Sequence, residues 1–180
     1  MPTGYRRILL GSDLEPLPKD IIEEIRRLAG QPPSVPPTEI HLAFILEAFQ
    51  NIPVDLPLAG LDLPSVAEDA LQRLDRIART LGPIAAKVST GVYQGKADKV
   101  LAALAVSRKA DLILLISHGR PLLNRLITGS LPGSLVHLSP VPVLVIKDKT
   151  RKEELAKHLL AHLPGETLTP LAHPTVTPDA

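Results

Sequence analysis

The 180-residue sequence predicts an α/β domain, a parallel β-sheet with helices on both faces. Three observations carry the prediction. Apolar runs alternate with segments of helical periodicity in the order β-α-β-α-β-α-β-α-β. One run, Asp111 to Ile116, is continuously apolar after its first residue, as expected for a strand covered on both faces. Hydrophobic residues make up 44% of the chain but aromatics only 2%, so the core is built from Leu, Ile, Val and Ala.

The elements follow in order. Arg6 to Asp13, RRILLGSD, is a first strand ending in a polar turn. Pro16 and Pro18 suit a helix entry, where a missing N–H does no harm. Ile21, Ile22, Ile25, Leu28 and Ala29 repeat at helical spacing, and Gly30 suits the C-terminal cap. QPPSVPP at 31–37 is a stiff connection, and Thr38 to Leu46 is strand two. Residues 47–64 obey no period. They read either as a proline-bent loop packed on its own domain or as a lid or partner-docking surface. Ser65-Val-Ala-Glu68 reads as a capping box with Pro64 ahead of it, opening a helix with Val66, Ala70, Leu74, Ile77 and Leu81 on one face. Ile84 to Tyr93, interrupted by Gly91, is a third strand nearer an edge. Gly95 and Lys96 lead into a third helix through Val100, Leu101, Leu104 and Ala105, with Arg108 and Lys109 at its C-terminus, where the dipole favours cations.

After the fourth strand, Ser117-His-Gly-Arg120 turns the chain away, and nine residues separate Gly119 from Gly129. Ser130 can then cap a short helix. A capped helix N-terminus behind a glycine is suited to an anion, because free N–H groups converge there and the dipole end is positive. Arg120, Arg125, Thr128 and Ser130 add charge and hydroxyl donors. The last strand, Val141 to Ile146, contains Pro142, which makes it an edge strand or puts the proline at its start. An apolar edge needs cover, and self-pairing supplies it. Thr150 to Leu163 suits a charged helix with Leu155, Leu159 and Leu163 on one side, and the Pro/Thr-rich tail to Ala180 is expected to be disordered. The expected division is a domain at 1–148 and a C-terminal extension at 149–180.

At Gly119, the nine-residue spacer, Gly129 and Ser130, the chain resembles the universal stress protein family, whose nucleotide-binding members carry G-x2-G-x9-G-[ST] after the fourth strand. The resemblance spans about residues 5 to 147. It implies a Rossmann-like, adenine nucleotide alpha hydrolase-like fold with five parallel strands in the order 3-2-1-4-5. It also implies an adenine nucleotide, ATP or AMP (Mg with ATP), in the crevice where the winding reverses between strands one and four. Carried over by position, Asp13 matches the family aspartate that contacts the nucleoside, with Gly11 and Ser12 in the same turn. Gly119, Gly129 and Ser130 match the phosphate loop, followed by the Leu131 backbone. His118 and Arg120 flank that loop, and Ile45 offers an apolar wall for the base. Three departures stand out: Ile116 replaces the first glycine, where it would crowd ribose or phosphate; Leu14-Glu15 replace a Gly-Ser; and Pro132 removes an N–H two positions after the cap. The resemblance further implies a homodimer through strand 141–146 and a stress-response role in regulation by binding. The alternative is a nucleotide-free dimerisation or adaptor module that binds a protein partner through the 47–64 loop or the extension, with no cofactor.

Other classes find less support. Lys and Arg number 20 against 19 Asp and Glu, and with few aromatics this argues against nucleic-acid binding. No cysteine is present, so disulfides, thiol nucleophiles and cysteine-bound zinc are excluded. No run approaches membrane-spanning length and no signal h-region follows the N-terminus, so the expectation is a cytoplasmic protein without membrane insertion. Neither GxGxxG after strand one nor GxxxxGK[ST] occurs. Gly129-Ser-Leu-Pro-Gly133 places its serine one position too early for a nucleophile elbow. ATP hydrolysis or self-phosphorylation through Ser130 or Thr128 lacks an evident general base, so no catalytic residue is assigned. His158 and His162 stand four apart without a third metal ligand, and His41 reads as a satisfied structural histidine.

Overall fold

Five strands and four helices alternate in the computed structural model, which describes residues 4–30, 38–47, 63–117, 131–147 and 152–153. They are β1 (Arg7–Gly11), α1 (Lys19–Ala29), β2 (Glu39–Leu46), α2 (Leu63–Leu81), β3 (Lys87–Gln94), α3 (Ala97–Ser107), β4 (Leu112–Ser117), α4 (Leu131–Leu138) and β5 (Val143–Lys147). All strand pairs are parallel, and the sheet order is β3-β2-β1-β4-β5. This is the five-stranded parallel order that the resemblance implied.

Strand alternation divides the core into two layers. Ile8 and Leu10 of β1, Ile40 and Leu42 of β2 and Leu112, Leu114 and Ile116 of β4 pack with Ile21 and Ile25 of α1 and Leu74, Ile77 and Leu81 of α2. Leu9, Ala43, Ile45, Ile113 and Leu115 point the other way, against Ala97, Leu101 and Ala105 of α3 and Leu131 and Leu135 of α4. Each fully buried Leu or Ile contributes roughly 1.5–3 kcal/mol of transfer free energy, so the central strands carry much of the stability. With both faces covered, β1 and β4 have to be continuously apolar, as their sequences are.

Several element boundaries differ from the sequence reading, among them the starts of α2 and β3. α2 starts at Leu63, so Ser65 lies inside its first turn and is not the cap residue of a capping box. Pro64 falls in that first turn too, where the N–H it lacks would have had no helical acceptor. β3 starts at Lys87, since Ile84 belongs to the turn that closes α2 and its N–H donates to the Leu81 carbonyl. β3 and β5 are the two edges of the sheet. Pro142 sits immediately before β5, and its carbonyl still accepts the Ile113 N–H at 2.9 Å. Residues 48–62, and the proposed tail helix apart from 152–153, lie outside the described residues.

Candidate functional site

The sheet order reverses direction between β1 and β4, and the crevice at their carboxyl ends is the candidate site. Gly11, Ser12 and Asp13 line it from the end of β1, Ile45 from β2, Leu115 and Ile116 from β4, Ala97 and Leu101 from α3, and Leu131 from α4. The floor is tight because β1 ends in glycine. A Cβ at Gly11 would lie 2.8 Å from Leu115 Cδ2, so the missing side chain is what lets β4 and α3 close on this point. The cavity between these residues is about 30 Å³. That holds a water, against the roughly 300–1,000 Å³ of pockets that enclose small ligands. Chemically it is a mostly apolar slot that Ser12 and Asp13 also line.

Local hydrogen bonds set the turn that carries the carboxylate. The Ser12 N–H donates to the Ala43 carbonyl at 2.8 Å, which ties the turn to β2. Ser12 Oγ accepts the Leu14 N–H at 3.1 Å, and Asp13 Oδ1 accepts the Glu15 N–H at 3.0 Å. Leu14 adopts φ 68, a left-handed conformation that costs an L-residue about 1–2 kcal/mol. Its side chain packs on the α1/α2 core layer, which helps hold the strained backbone in place. The kink has a chemical consequence. Glu15 lines a different cavity, beside Asp69, Arg73 and Arg76 of α2, and is not among the crevice residues. A carboxylate aimed into the crevice would repel a phosphate, and this turn places Glu15 elsewhere.

Six of the sequence-assigned residues thus meet at one point: Gly11, Ser12, Asp13, Ile45, Ile116 and Leu131. His118, Gly119, Arg120, Gly129 and Ser130 lie outside the described residues, as does Thr128. Ile116 is 5% exposed and packs with Ile146 in the α1/α2 layer, while it also lines the crevice. Pro132 falls in the first turn of α4, which forms nonetheless. Sequence reading did not single out Ala97, Leu101 and Leu115 for the site. Leu115 could have been found from its register with Gly11, and Ala97 and Leu101 from the shared face of α3. The N-terminus of α3 is occupied by the chain's own carboxylates: Glu47 accepts the Ala97 N–H, and Asp98 pairs with Lys96 at 3.4 Å.

Family-level comparison agrees with this geometry. The family model for the universal stress protein family matches residues 4–147. The chain belongs to the universal stress protein family. Universal stress protein MJ0531 of Methanocaldococcus jannaschii is 30% identical over 119 residues, covering 64% of this chain and 68% of that protein. Universal stress protein MJ0577 of the same organism is 27% identical over 84 residues, 47% of this chain, and the match spans only 52% of its own length. The solved structure of MJ0577 superposes with a TM-score of 0.59 at 21% identity, covering 81% of this chain and 97% of that one. Universal stress protein UspA from Lactobacillus plantarum gives a TM-score of 0.58 at 18% identity, covering 79% and 98%. These likenesses show the fold, the adenine nucleotide alpha hydrolase-like arrangement of universal stress proteins.

Among the described residues, no helix is long and apolar enough to cross a membrane, and no three His, Cys, Asp or Glu side chains are grouped to hold a metal. His41 has both ring nitrogens engaged, Nδ1 with Ser89 Oγ and Nε2 with the Tyr93 hydroxyl, each at 2.8 Å.

Proposed function

We propose that this universal stress protein domain binds an adenine nucleotide, ATP or AMP, in the β1–β4 crevice and acts as a cytoplasmic, homodimeric regulator in stress response. The observation that carries the reading is the convergence of six residues, assigned by resemblance to the family, at the reversal point of the sheet. Asp13 suits the ribose hydroxyls and Ile45 an apolar face of the base. The phosphate end, with Mg in the case of ATP, falls to the 118–130 segment, where Gly119, Arg120, Gly129 and Ser130 would supply N–H groups and charge. A cavity of about 30 Å³ is too small for a nucleoside, so binding includes a widening of the crevice. Dimerisation would use β5, an edge strand whose Val143, Leu144 and Val145 are only partly buried. Sedimentation equilibrium reads that assembly directly.

The same small cavity favours a second reading, a nucleotide-free adaptor that works through residues 47–64 or 149–180. Calorimetric titration of ATP and AMP into the wild type, Asp13→Ala and Ile116→Gly separates the two. The nucleotide reading expects micromolar binding in the wild type, weakened roughly tenfold or more in Asp13→Ala, since a hydrogen bond to a charged group contributes about 1.5–3 kcal/mol. Binding only in Ile116→Gly would mean that this side chain closes the crevice. No heat in either protein would refute nucleotide binding and leave the adaptor.

A further inference from the structure

The larger cavity on the α3 side of the sheet lies at the opposite end of the strands from the crevice. It measures about 430 Å³, within the size range of ligand pockets. Its mouth is a row of charges set by register. Arg7, Glu39 and Lys87 are the first residues of β1, β2 and β3, and they pair side by side across the sheet. Strand alternation puts them on the same face as Leu9, His41 and Ser89, one step further in. From above, α3 contributes Leu104 and Ser107, and Arg108 follows at its C-terminal cap.

Inside the cavity the polar groups are wired together. Arg108 Nη2 donates to the Tyr93 hydroxyl at 3.2 Å, Tyr93 meets His41 Nε2 at 2.8 Å, and His41 Nδ1 meets Ser89 Oγ at 2.8 Å. Tyr93 reaches back to His41 because Gly91 has no side chain: a Cβ there would lie 2.6 Å from the tyrosine oxygen. His41 is 6% exposed, and burial together with the Arg108 charge lowers its pKa to about 4, partly offset by a hydrogen bond from the ring to the Ser89 backbone. So weak a base does not draw a proton from serine at neutral pH, which separates this array from a nucleophile–base pair. What remains is binding chemistry. Three cations face one carboxylate, and the ion pairs among the described residues belong to Arg26, Arg27 and Lys96, not to Arg7, Lys87 or Arg108. Arginine offers five N–H donors in a fork that matches an oxyanion, and among the described residues the Arg108 side chain gives one hydrogen bond, to Tyr93.

From this arrangement we infer that the cavity is a second ligand site, which takes a small molecule through a phosphate or carboxylate group held by Arg108 with Arg7 and Lys87. The cavity shares no lining residue with the crevice. NMR of the His41 and Tyr93 rings in the full-length protein tests it, with inorganic phosphate and malonate as probes. Saturable shifts at both rings in the millimolar range are expected, with an affinity loss of roughly tenfold in Arg108→Gln, the size expected for one charge-assisted hydrogen bond. Arg27→Gln, which removes the same charge from an exposed position on α1, is expected to leave the affinity unchanged. A response to one probe alone supports the site and names its oxyanion class. Should Arg108→Gln fail to fold, Arg7→Gln replaces it. The inference is overturned if neither probe shifts the rings, or if a folded cavity variant keeps wild-type affinity.

Discussion

Acid should destabilise this protein through His41 in a way that can be calculated. The ring is buried among Ser89, Tyr93 and Arg108, with Arg7, Glu39 and Lys87 lining the same cavity. Burial first, and the Arg108 guanidinium second, lower its pKa from 6.5 to about 4. The unfolded chain therefore binds a proton near pH 6.5 that the folded protein refuses until about pH 4. The stability is fully present above pH 6.5 and is lost as the pH falls through that window. Each pH unit below the unfolded pKa costs about 1.4 kcal/mol, so the loss at pH 5 is about 2 kcal/mol. Urea unfolding at pH 7.5 and pH 5 measures it, and His41→Gln serves as the reference because carboxylate titrations cancel between the two proteins. With m near 2 kcal/mol/M, the wild-type midpoint should fall by about 1 M more than the variant's. Arg108→Gln should reduce the difference by letting the His41 pKa rise. Equal pH dependence in wild type and His41→Gln would refute the reasoning.

Two further substitutions test the backbone devices. Gly91→Ala puts a methyl into the Tyr93 ring and forces it off His41, so it should destabilise by about 1–3 kcal/mol, the cost of leaving a buried polar group unmade. In a Tyr93→Ala background that cost should vanish, and a penalty that persists would show that the tyrosine is not what the glycine accommodates. At Leu14, whose φ is 68, the ordinary order of glycine and alanine should invert. Leu14→Gly is expected to be more stable than Leu14→Ala by about 1 kcal/mol in urea unfolding, because only glycine adopts this conformation without strain; alanine at or above glycine would place the strain elsewhere.

How far the sequence was legible depended on the range of the interaction. Ile21, Ile25 and Ala29 announce α1, and Leu112 to Ile116 announce a strand buried on both faces, because period and burial are written in neighbouring residues. The strand order is not local and came from resemblance to a family, since pattern alone does not say that β1 lies between β2 and β4. The α2 boundary was misread because a serine three before a glutamate looks like a cap, while a proline in the first turn costs the helix nothing. In the crevice, the polar turn at Gly11 to Asp13 was legible locally, and its place in the site came from the family resemblance. Ala97, Leu101 and Leu115 were not, since only register and the closing of α3 bring them there. The direction of Glu15 depends on one backbone dihedral at Leu14, which no composition rule reveals. Likewise, the reach of Tyr93 to His41 depends on an absent side chain at Gly91 and on the packing of two strands.

α3 takes part in both cavities. Its first turn, at Ala97, and Leu101 form a wall of the crevice, while Leu104, Ser107 and the adjoining Arg108 form the roof of the other cavity. Eleven helical residues make a rod of about 16 Å that does not bend easily. A tilt that opens the crevice at one end must therefore be felt at the other, where Arg108 holds Tyr93. Occupancy at either end would then change the affinity of the other by the same factor, and the two sites would report on one another through a single lever.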